Sequence, residues 1–264
     1  MQLNKKIKNF KNQSIKRLKL IRKRLLDVSQ NVGALHLGGS FSCLEILDTI
    51  YFFFLKKNKD KIILSKGHSA IAQYAILDYL KILPKRKLNQ YCQDKSDLGV
   101  HPEFFTPGIL ASTGSLGHGI GIAAGLSISS KKNELVFLVI SDGELMEGST
   151  WELSLLISSL RLNNIIMIID HNGIQSATRA KDTHPTLYPI KSKFLSFGWS
   201  VGECDGHDQK EIIKKISNRK KNKPFLLIAN TIKGYPISFM KNKPIWHYRS
   251  PNKDEYNKAI GELK

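Results

Sequence analysis

Cysteine is scarce in this chain of 264 residues. The three cysteines, Cys43, Cys92 and Cys204, are odd in number, lie far apart and include no Cys-x-x-Cys pair. Such a pattern predicts neither a disulfide framework nor a zinc site, and it is typical of proteins from a reducing compartment. We therefore expect a cytoplasmic protein.

Long apolar runs are also missing. No uninterrupted apolar segment approaches the roughly 20 residues that a helix needs to cross a bilayer. The aromatic stretch from Tyr51 to Leu55 is short and fits the end of a core helix. With 41% hydrophobic and 9% aromatic residues, the composition is that of a globular protein. The sequence thus predicts a soluble protein without a membrane partner, folded as one α/β domain over residues 1–264.

Acidic residues are few, since 22 Asp and Glu stand against 41 Lys and Arg, which gives a net charge of +19. Nucleic acid is therefore a partner to consider. The lysines, however, are spread along the chain, without zinc-finger spacing or a repeat of basic and aromatic residues that would direct binding to bases. Specific nucleic-acid binding is disfavoured, and a positive field that attracts phosphorylated substrates is the simpler interpretation.

The N-terminal segment has no acid before Asp27, and its apolar residues recur at three- and four-residue steps. This spacing predicts an amphipathic basic helix over about residues 1–30. Its inward face comprises Ile7, Phe10, Ser14, Leu18, Ile21, Leu25 and Val28. A transit peptide has a similar composition, but the pattern runs without a break into the next motif, which favours a structural helix.

Two short runs rich in β-branched residues, 135–140 and 165–169, predict buried strands. The segment between them, 149–160, has helical length, so the three elements read as a βαβ unit. Such a crossover makes the two strands parallel and brings their carboxyl ends to the same edge of the sheet. Asp142 and Asn172, which follow the two strands, are therefore expected to be neighbours.

The helix of this unit has an apolar side and polar residues at its start. The apolar side comprises Trp151, Leu155, Ile157 and Leu160. Ser149 or Thr150 is available as its N-cap.

Asp142 and Asn172 offer a carboxylate and an amide oxygen at the edge where open α/β sheets bind ligands. Gly143 and Gly148 let the backbone approach a bound group closely. Magnesium prefers hard oxygen ligands and usually takes one or two from protein carboxylates and others from phosphates and water. The constellation therefore fits a magnesium–diphosphate site. The alternative is that Asp-Gly and Asn-Gly are ordinary turns after strands.

Four further segments, 33–40, 65–69, 98–103 and 113–121, place histidine and glycine in loops or at helix starts. The first is a glycine-rich loop before an apolar helix, and the second follows a predicted strand at 61–64. Glycine-rich backbone at a helix start presents free N–H groups to an anion, so 113–121 suits a diphosphate. Tight helix packing through small residues is the alternative for that segment.

Together these segments resemble the transketolase family. Asp-Gly-Glu at 142–144, followed about thirty residues later by Asp-x-Asn-Gly, resembles the thiamin diphosphate motif of that family. The histidine loops and the closing Trp246-His247 are similar to family motifs in the family's order, over about residues 15–252. Four positions depart from the family pattern. They are Leu35, Leu37, Val100 and Ser141, where the family usually has Gly, Pro, Gly and Gly.

The resemblance implies roles for individual residues. The implied catalytic residues are His36, His68, His101 and His247. The implied cofactor-binding residues are His68, Gly114, Ser115, Leu116, Asp142, Gly143, Glu147, Asn172 and His247. The implied magnesium ligands are Asp142, Asn172 and the backbone carbonyl of Ile174. Glu147 is expected at a subunit contact, and histidine suits the proton transfers because its pKa lies near working pH.

The resemblance also implies a fold, cofactors, an activity and a partner. The fold is a parallel sheet flanked by helices that binds thiamin diphosphate and Mg²⁺. The activity is transfer of a two-carbon ketol unit from a ketose phosphate to an aldose phosphate. The matched region is the N-terminal, diphosphate-binding half of the family, so we expect a separate C-terminal subunit with the pyrimidine-binding domain, assembled with this chain as a heterotetramer.

Several alternatives stay open at the level of sequence. A deoxyxylulose phosphate synthase, or a transketolase for an unusual sugar, would share the diphosphate site. From other functional classes, a cofactor-binding scaffold without activity and a basic protein associated with nucleic acid also fit parts of the pattern.

Overall fold

A parallel sheet of five strands lies at the centre of the molecule in a computed structural model, which describes residues 2–131, 133–176 and 178–263. Its strands are β1 (Lys61–Leu64), β2 (Val136–Ser141), β3 (Ile165–His171), β6 (Ser200–Asp205) and β7 (Phe225–Asn230). They lie in the order β1-β2-β3-β7-β6, and every neighbouring pair is parallel. A separate antiparallel hairpin consists of β4 (Ile174–Gln175) and β5 (Thr178–Arg179). The predicted α/β fold is confirmed.

Helices connect the strands and cover both faces of the sheet. The α-helices are α1 (Gln2–Ser29), α2 (Leu37–Ser42), α3 (Leu44–Thr49), α4 (Ala70–Tyr79), α5 (Lys85–Asn89), α6 (Gly119–Ile128), α7 (Gly148–Ser159), α8 (Ala180–Thr183), α9 (Ile190–Ser196), α10 (Gln209–Ser217) and α11 (Lys253–Glu262). Tighter 3₁₀ turns are Gly67–Ser69, Asp142–Met146, Pro185–Leu187 and Pro244–His247, and Ile50–Phe54 is a π-helical turn. Within the described ranges, no helix is both long enough and apolar enough to cross a membrane.

Successive residues of the central strands are buried on opposite faces of the sheet. Phe137 and Val139 of β2 join a core with α1, α3, α4 and α10, whereas Val136 and Leu138 join a core with α6, α7 and α9. A strand buried on both faces needs apolar side chains at every position. That requirement explains the unbroken apolar runs from which the strands were predicted.

Helix α1 packs against the rest of the domain through the predicted face. All seven residues of that face are buried. Arg17 is buried as well, and its Nη2 donates to Asp48 Oδ2 of α3 at 2.8 Å. Asp48 Oδ2 also accepts from Ser14 Oγ at 2.7 Å and from Gln209 Nε2 at 2.7 Å. The helix is therefore anchored by a hydrogen-bonded ion pair in addition to apolar contacts.

The predicted apolar side of the βαβ helix is only partly buried, since Ile157 lies in the core and Trp151 is partly buried against it, and the predicted N-cap was wrong. Leu155 and Leu160 are 46% and 49% exposed, whereas Thr150 and Ser154 are buried. Ser154 is accommodated in the core because its Oγ donates to Thr150 O at 2.6 Å and its carbonyl accepts from an indole N–H. Glu147 occupies the N-cap position, without a side-chain cap. An apolar periodicity cannot reveal buried polar residues that are satisfied in this way.

The predicted glycine-rich loop at 33–40 is also partly wrong, because α2 begins at Leu37 and includes Gly38 and Gly39. A Cβ at position 38 would lie 2.7 Å from the carbonyl oxygen of Trp246. Glycine is therefore needed there for the close approach of a distant segment of backbone.

Candidate active site

A cavity of about 280 Å³ lies at the carboxyl edge of the sheet. Strands β1, β2 and β3 end beside it, and the segments that follow them supply Lys66, Asp142 and Asn172 to its lining. Segments far away in sequence close it, through His36 ahead of α2 and His247 ahead of α11. The cavity thus gathers the motifs that lie apart along the chain.

Asp142 is the buried carboxylate of this cavity, with 1% of its surface exposed. Its Oδ2 accepts from the Gly173 N–H at 2.6 Å and its Oδ1 from the Gly143 N–H at 3.0 Å. Asn172 Oδ1 accepts from the Ile174 N–H at 3.0 Å. Burial, and then the nearby Asp170, raise the pKa of Asp142 to about 6. Asp142 thus lies in a place that disfavours an isolated negative charge.

Asp170 and Lys66 form a fully buried ion pair behind Asp142. Asp170 also accepts hydrogen bonds from Ser42 Oγ, at 2.6 Å, and from Thr231 Oγ1. Lys66 Nζ donates to Gly39 O at 3.0 Å as well. Burial acts to raise the pKa of Asp170, but the Lys66 ammonium and these hydrogen bonds hold it below its usual value. The pair therefore joins β1, α2 and β3 at the floor of the cavity.

Glu144 connects three of the predicted loops. Its Oε1 accepts from Ser65 Oγ and, at 3.2 Å, from the Gly117 N–H, and its Oε2 accepts from the Ser141 N–H at 2.9 Å. Burial raises the pKa of this carboxyl, which is 1% exposed. Ser141, where the transketolase pattern has Gly, is accommodated as the N-cap of the 3₁₀ turn Asp142–Met146, in a capping box with Glu144.

The backbone of Gly114 lies in close contact with two other loops. Its φ is +144°, a conformation that L side chains rarely adopt. A Cβ at position 114 would lie 2.7 Å from the His101 ring, and a Cβ at Gly67 would lie 2.7 Å from the Gly114 backbone nitrogen. His101 therefore packs against the Gly114 turn, beside the cavity and outside its lining.

Three of the four predicted histidines form a cluster in the cavity. The ring centroid of His36 lies 5.3 Å from that of His68 and 5.0 Å from that of His247. Burial and then His247 lower the pKa of His36 to about 3, and burial and then Lys233 lower that of His247 to about 4. Burial and then Lys66 lower the pKa of His68. All three rings are therefore neutral near pH 7, each with one donor and one acceptor nitrogen.

Lys233 orients one of these rings. This residue is 2% exposed, and its Nζ lies 3.0 Å from His247 Nδ1 and 3.3 Å from Ser176 O. A protonated Lys233 donates to Nδ1, so the proton of the neutral imidazole is held on Nε2. Burial, and then Lys66, lower the pKa of Lys233 to about 8.

Most of the residues singled out from the sequence line this cavity. They are His36, His68, Gly114, Leu116, Asp142, Gly143, Glu147, Asn172, Ile174 and His247. Ser115 and His101 belong to adjoining loops outside the lining. Sequence reasoning missed Lys66, Lys233 and the role of Asp170. Lys66 lies inside the histidine segment 65–69, which was a local signal for this position, whereas Lys233 lies three residues beyond β7 and had none.

The donors at this edge fit a magnesium ion bound to a diphosphate. One carboxylate, one amide oxygen and the Ile174 carbonyl are hard oxygen ligands, and a cation there would favour the ionised form of Asp142. In the described part of the chain, no three His, Cys, Asp or Glu side chains cluster as a metal site. A bound metal would therefore depend on amide, carbonyl and phosphate oxygens as well. The glycine-rich turn before α6, at Gly114 and Leu116, presents backbone to the same cavity.

Comparisons with known proteins agree with this arrangement. Residues 13–260 match the family model described as "Transketolase, thiamine diphosphate binding domain". An apulose-4-phosphate transketolase subunit of Actinobacillus succinogenes is 37% identical over 263 residues, covering 94% of this chain and 95% of that protein. A 6-deoxy-6-sulfo-D-fructose transketolase subunit of a Clostridium species is 32% identical, covering 93% and 94%.

The structure of transketolase from Leishmania mexicana superposes with a TM-score of 0.86 at 24% identity. The superposition covers 94% of this chain and 41% of that one. This similarity supports the fold. The chain thus spans less than half the length of that transketolase.

Proposed function

The chain belongs to the transketolase family, through its thiamine diphosphate binding domain, and on this premise we propose that it is one subunit of a two-subunit transketolase. In this proposal it binds thiamin diphosphate and Mg²⁺, and the enzyme moves a two-carbon ketol unit from a ketose phosphate to an aldose phosphate. The observation that carries the proposal is that one cavity contains both Asp142 with Asn172 and the cluster of three neutral histidines.

The metal end of the cavity would hold the diphosphate. Asp142, Asn172 Oδ1 and the Ile174 carbonyl bind magnesium in this proposal, and Gly114 to Leu116 contact the diphosphate through the backbone. Free N–H groups at a glycine-rich helix start suit that contact. When bound, the thiazolium ring of the cofactor supplies the electron sink for cleavage of the carbon–carbon bond.

The histidine end would hold and deprotonate the sugar. His68 and His36 are neutral, so each can accept a proton at one ring nitrogen and donate a hydrogen bond from the other, whereas the acceptor nitrogen of His247 is occupied by Lys233 and this ring presents a donor. In His247 the contact with Lys233 Nζ leaves Nε2 as the protonated nitrogen. His101, beside the Gly114 turn, is assigned to the donor hydroxyl groups in this proposal.

A second subunit would complete the site. The two relatives above are named as transketolase subunits, and this chain aligns with more than 90% of the length of each. Glu147 lies exposed at the rim of the cavity, where we assign it to the contact with the partner's pyrimidine-binding domain. Two copies of each subunit would form a heterotetramer.

The sugar substrate is proposed to be an unusual one. The names of the relatives specify apulose-4-phosphate and 6-deoxy-6-sulfo-D-fructose, which favours a ketose outside the common set over a deoxyxylulose phosphate synthase reaction. A panel of ketose donors, assayed with the partner subunit present, would identify the class of sugar that is cleaved.

Calorimetry with thiamin diphosphate tests the cofactor site, with and without magnesium and with the partner subunit present. The Asp142→Ala variant is expected to lose the magnesium-dependent heat of binding while its far-UV circular dichroism is unchanged. Asp94→Ala, at an exposed carboxylate away from the cavity, is the matched control and should bind normally. Unchanged affinity in Asp142→Ala would refute the metal assignment.

Reconstitution tests the requirement for two subunits. The chain alone is expected to show no ketol transfer, and activity should rise with added C-terminal subunit until the two are equimolar. Robust turnover by the purified chain alone would contradict the proposal.

A further inference from the structure

A second and larger cavity, of about 590 Å³, lies at the opposite edge of the sheet from the candidate active site. Ser200 at the start of β6 and Phe225 at the start of β7 line it. The candidate active site lies beyond the carboxyl ends of parallel strands, so the two cavities are at opposite ends of the sheet. The proposed ketol transfer makes no use of this surface.

Five basic side chains surround this second cavity. They are Lys214, Lys215, Arg219, Lys220 and Lys223. The segment 214–223 contains no acidic residue. In the ranges that the structure describes, none of the five forms an ion pair with an acid, although ion pairs occur elsewhere on the surface, as between Lys191 and Glu203. The charges are therefore concentrated, and none of the five is neutralised by a direct ion pair.

Helix geometry accounts for only part of this cluster. Lys214 and Lys215 lie in the last turn of α10, where the helix dipole favours cations. Arg219, Lys220 and Lys223 lie beyond the helix and gain less from the dipole, which falls off within one turn. Arg219 Nη1 donates to Ile216 O at 3.0 Å, but its Nε is buried without a hydrogen-bond partner. A buried guanidinium donor without an acceptor is costly unless a ligand supplies one.

The rest of the lining is mostly apolar, with Ser200, Gly202 and Asn218 beside it. Leu195, Trp199, Val201 and Phe225 contribute to it, and β6, beside which it lies, is the edge strand of the sheet. The cavity thus offers an apolar floor with a cationic rim on one side. Its volume is within the range of about 300–1,000 Å³ that is usual for small-molecule sites.

We propose that this cavity binds a nucleoside polyphosphate, with the base against the apolar floor and the phosphates against the basic rim. The positive charge of the five side chains exceeds the negative charge of a sugar monophosphate and is close to that of a nucleoside triphosphate. Arginine and lysine are the usual phosphate-binding side chains. Nucleic acid, which would also be attracted to the charge, needs no apolar floor. The proposal depends on this cavity alone and not on the proposed transketolase activity.

Calorimetry of the full chain with ATP, tripolyphosphate and adenosine, in EDTA at about 0.1 M salt, tests the site. At that salt concentration the Debye length is about 10 Å, so long-range attraction to the net charge is largely screened. ATP is expected to bind one to one, more tightly than tripolyphosphate and much more tightly than adenosine. Excess thiamin diphosphate should not displace it.

Charge-reversal variants distinguish binding at this cavity from general attraction to the positive net charge. Lys220→Glu combined with Lys223→Glu should weaken ATP binding by roughly tenfold or more, since hydrogen bonds to charged groups are lost. Lys56→Glu combined with Lys57→Glu changes the net charge equally at exposed positions outside the cavity, and should leave the affinity within about twofold. Thermal denaturation checks that both double variants remain folded.

Four results would overturn the proposal. They are the absence of saturable ATP binding, equal losses in the two double variants, displacement of ATP by thiamin diphosphate, and tighter binding of an RNA oligonucleotide than of ATP at the same lysines. If the reconstituted wild-type enzyme shows no ketol transfer but the chain binds ATP normally, the proposed function is contradicted and the proposed ATP site is not.

Discussion

Replacement of Lys66 by Met should reveal how far the buried ion pair stabilises the domain. Lys66 and Asp170 are both 0% exposed, so the substitution leaves an unpaired carboxylate in the interior. Its remaining donors are Ser42, Thr231 and, at 3.5 Å, Asn172 Nδ2. Breaking a buried pair from one side costs about 3–5 kcal/mol in the free energy of unfolding. With a urea m-value of about 3 kcal/mol/M, the midpoint should fall by roughly 1–1.7 M.

The double variant Lys66→Met with Asp170→Asn provides the test of coupling. It removes both charges, so its loss of stability should be smaller than the sum of the two single losses by at least about 1 kcal/mol. Urea denaturation at pH 7, followed by circular dichroism, measures all four proteins. Lys191→Met, which breaks a half-exposed pair with Glu203, is the control and should cost no more than about 1 kcal/mol. Additive single losses, within about 0.5 kcal/mol, would refute the coupling.

Two further predictions concern side chains around the cavity. Glu144→Ala removes the acceptor for Ser65, Gly117 and Ser141, so we expect a loss of about 2–4 kcal/mol in thermal denaturation together with weaker cofactor binding. Glu152→Ala, at an exposed site on α7, is its control, and equal stability of the two variants would contradict the role of Glu144. Lys233 has a pKa of about 8 in the folded chain and 10.5 as its ordinary value, so between these values the unfolded chain binds more protons and stability rises with pH. The free energy of unfolding of the wild type, relative to that of Lys233→Met, should therefore increase by about 2 kcal/mol from pH 7.5 to 9.5 in denaturant titrations. If the difference between the two proteins does not change with pH, the pKa of Lys233 is not lowered.

The sheet was predictable because its strands are buried on both faces. The runs at 135–140 and 165–169 became β2 and β3 within one or two residues, since only continuous apolar sequence satisfies such a position. The inward face of α1 was equally predictable, because the apolar residues of a helix that buries one face recur with a period near 3.6 residues. The helix between β2 and β3 was predicted within one residue at each end, but its inward face was only partly predicted, because Thr150 and Ser154 are buried with their hydroxyl groups hydrogen-bonded locally.

The sequence by itself determined the fold class, the two polar strand ends at Asp142 and Asn172, and the resemblance to transketolase, because these depend on local periodicity and on short motifs. Only the tertiary structure decided that His36 and His247, which are far apart in the chain, lie 5.0 Å from each other. It also decided that Lys66 and Lys233 are buried beside them. The lowered pKa values of the histidines depend on that burial and those neighbouring charges, and no spacing along the chain contains either quantity.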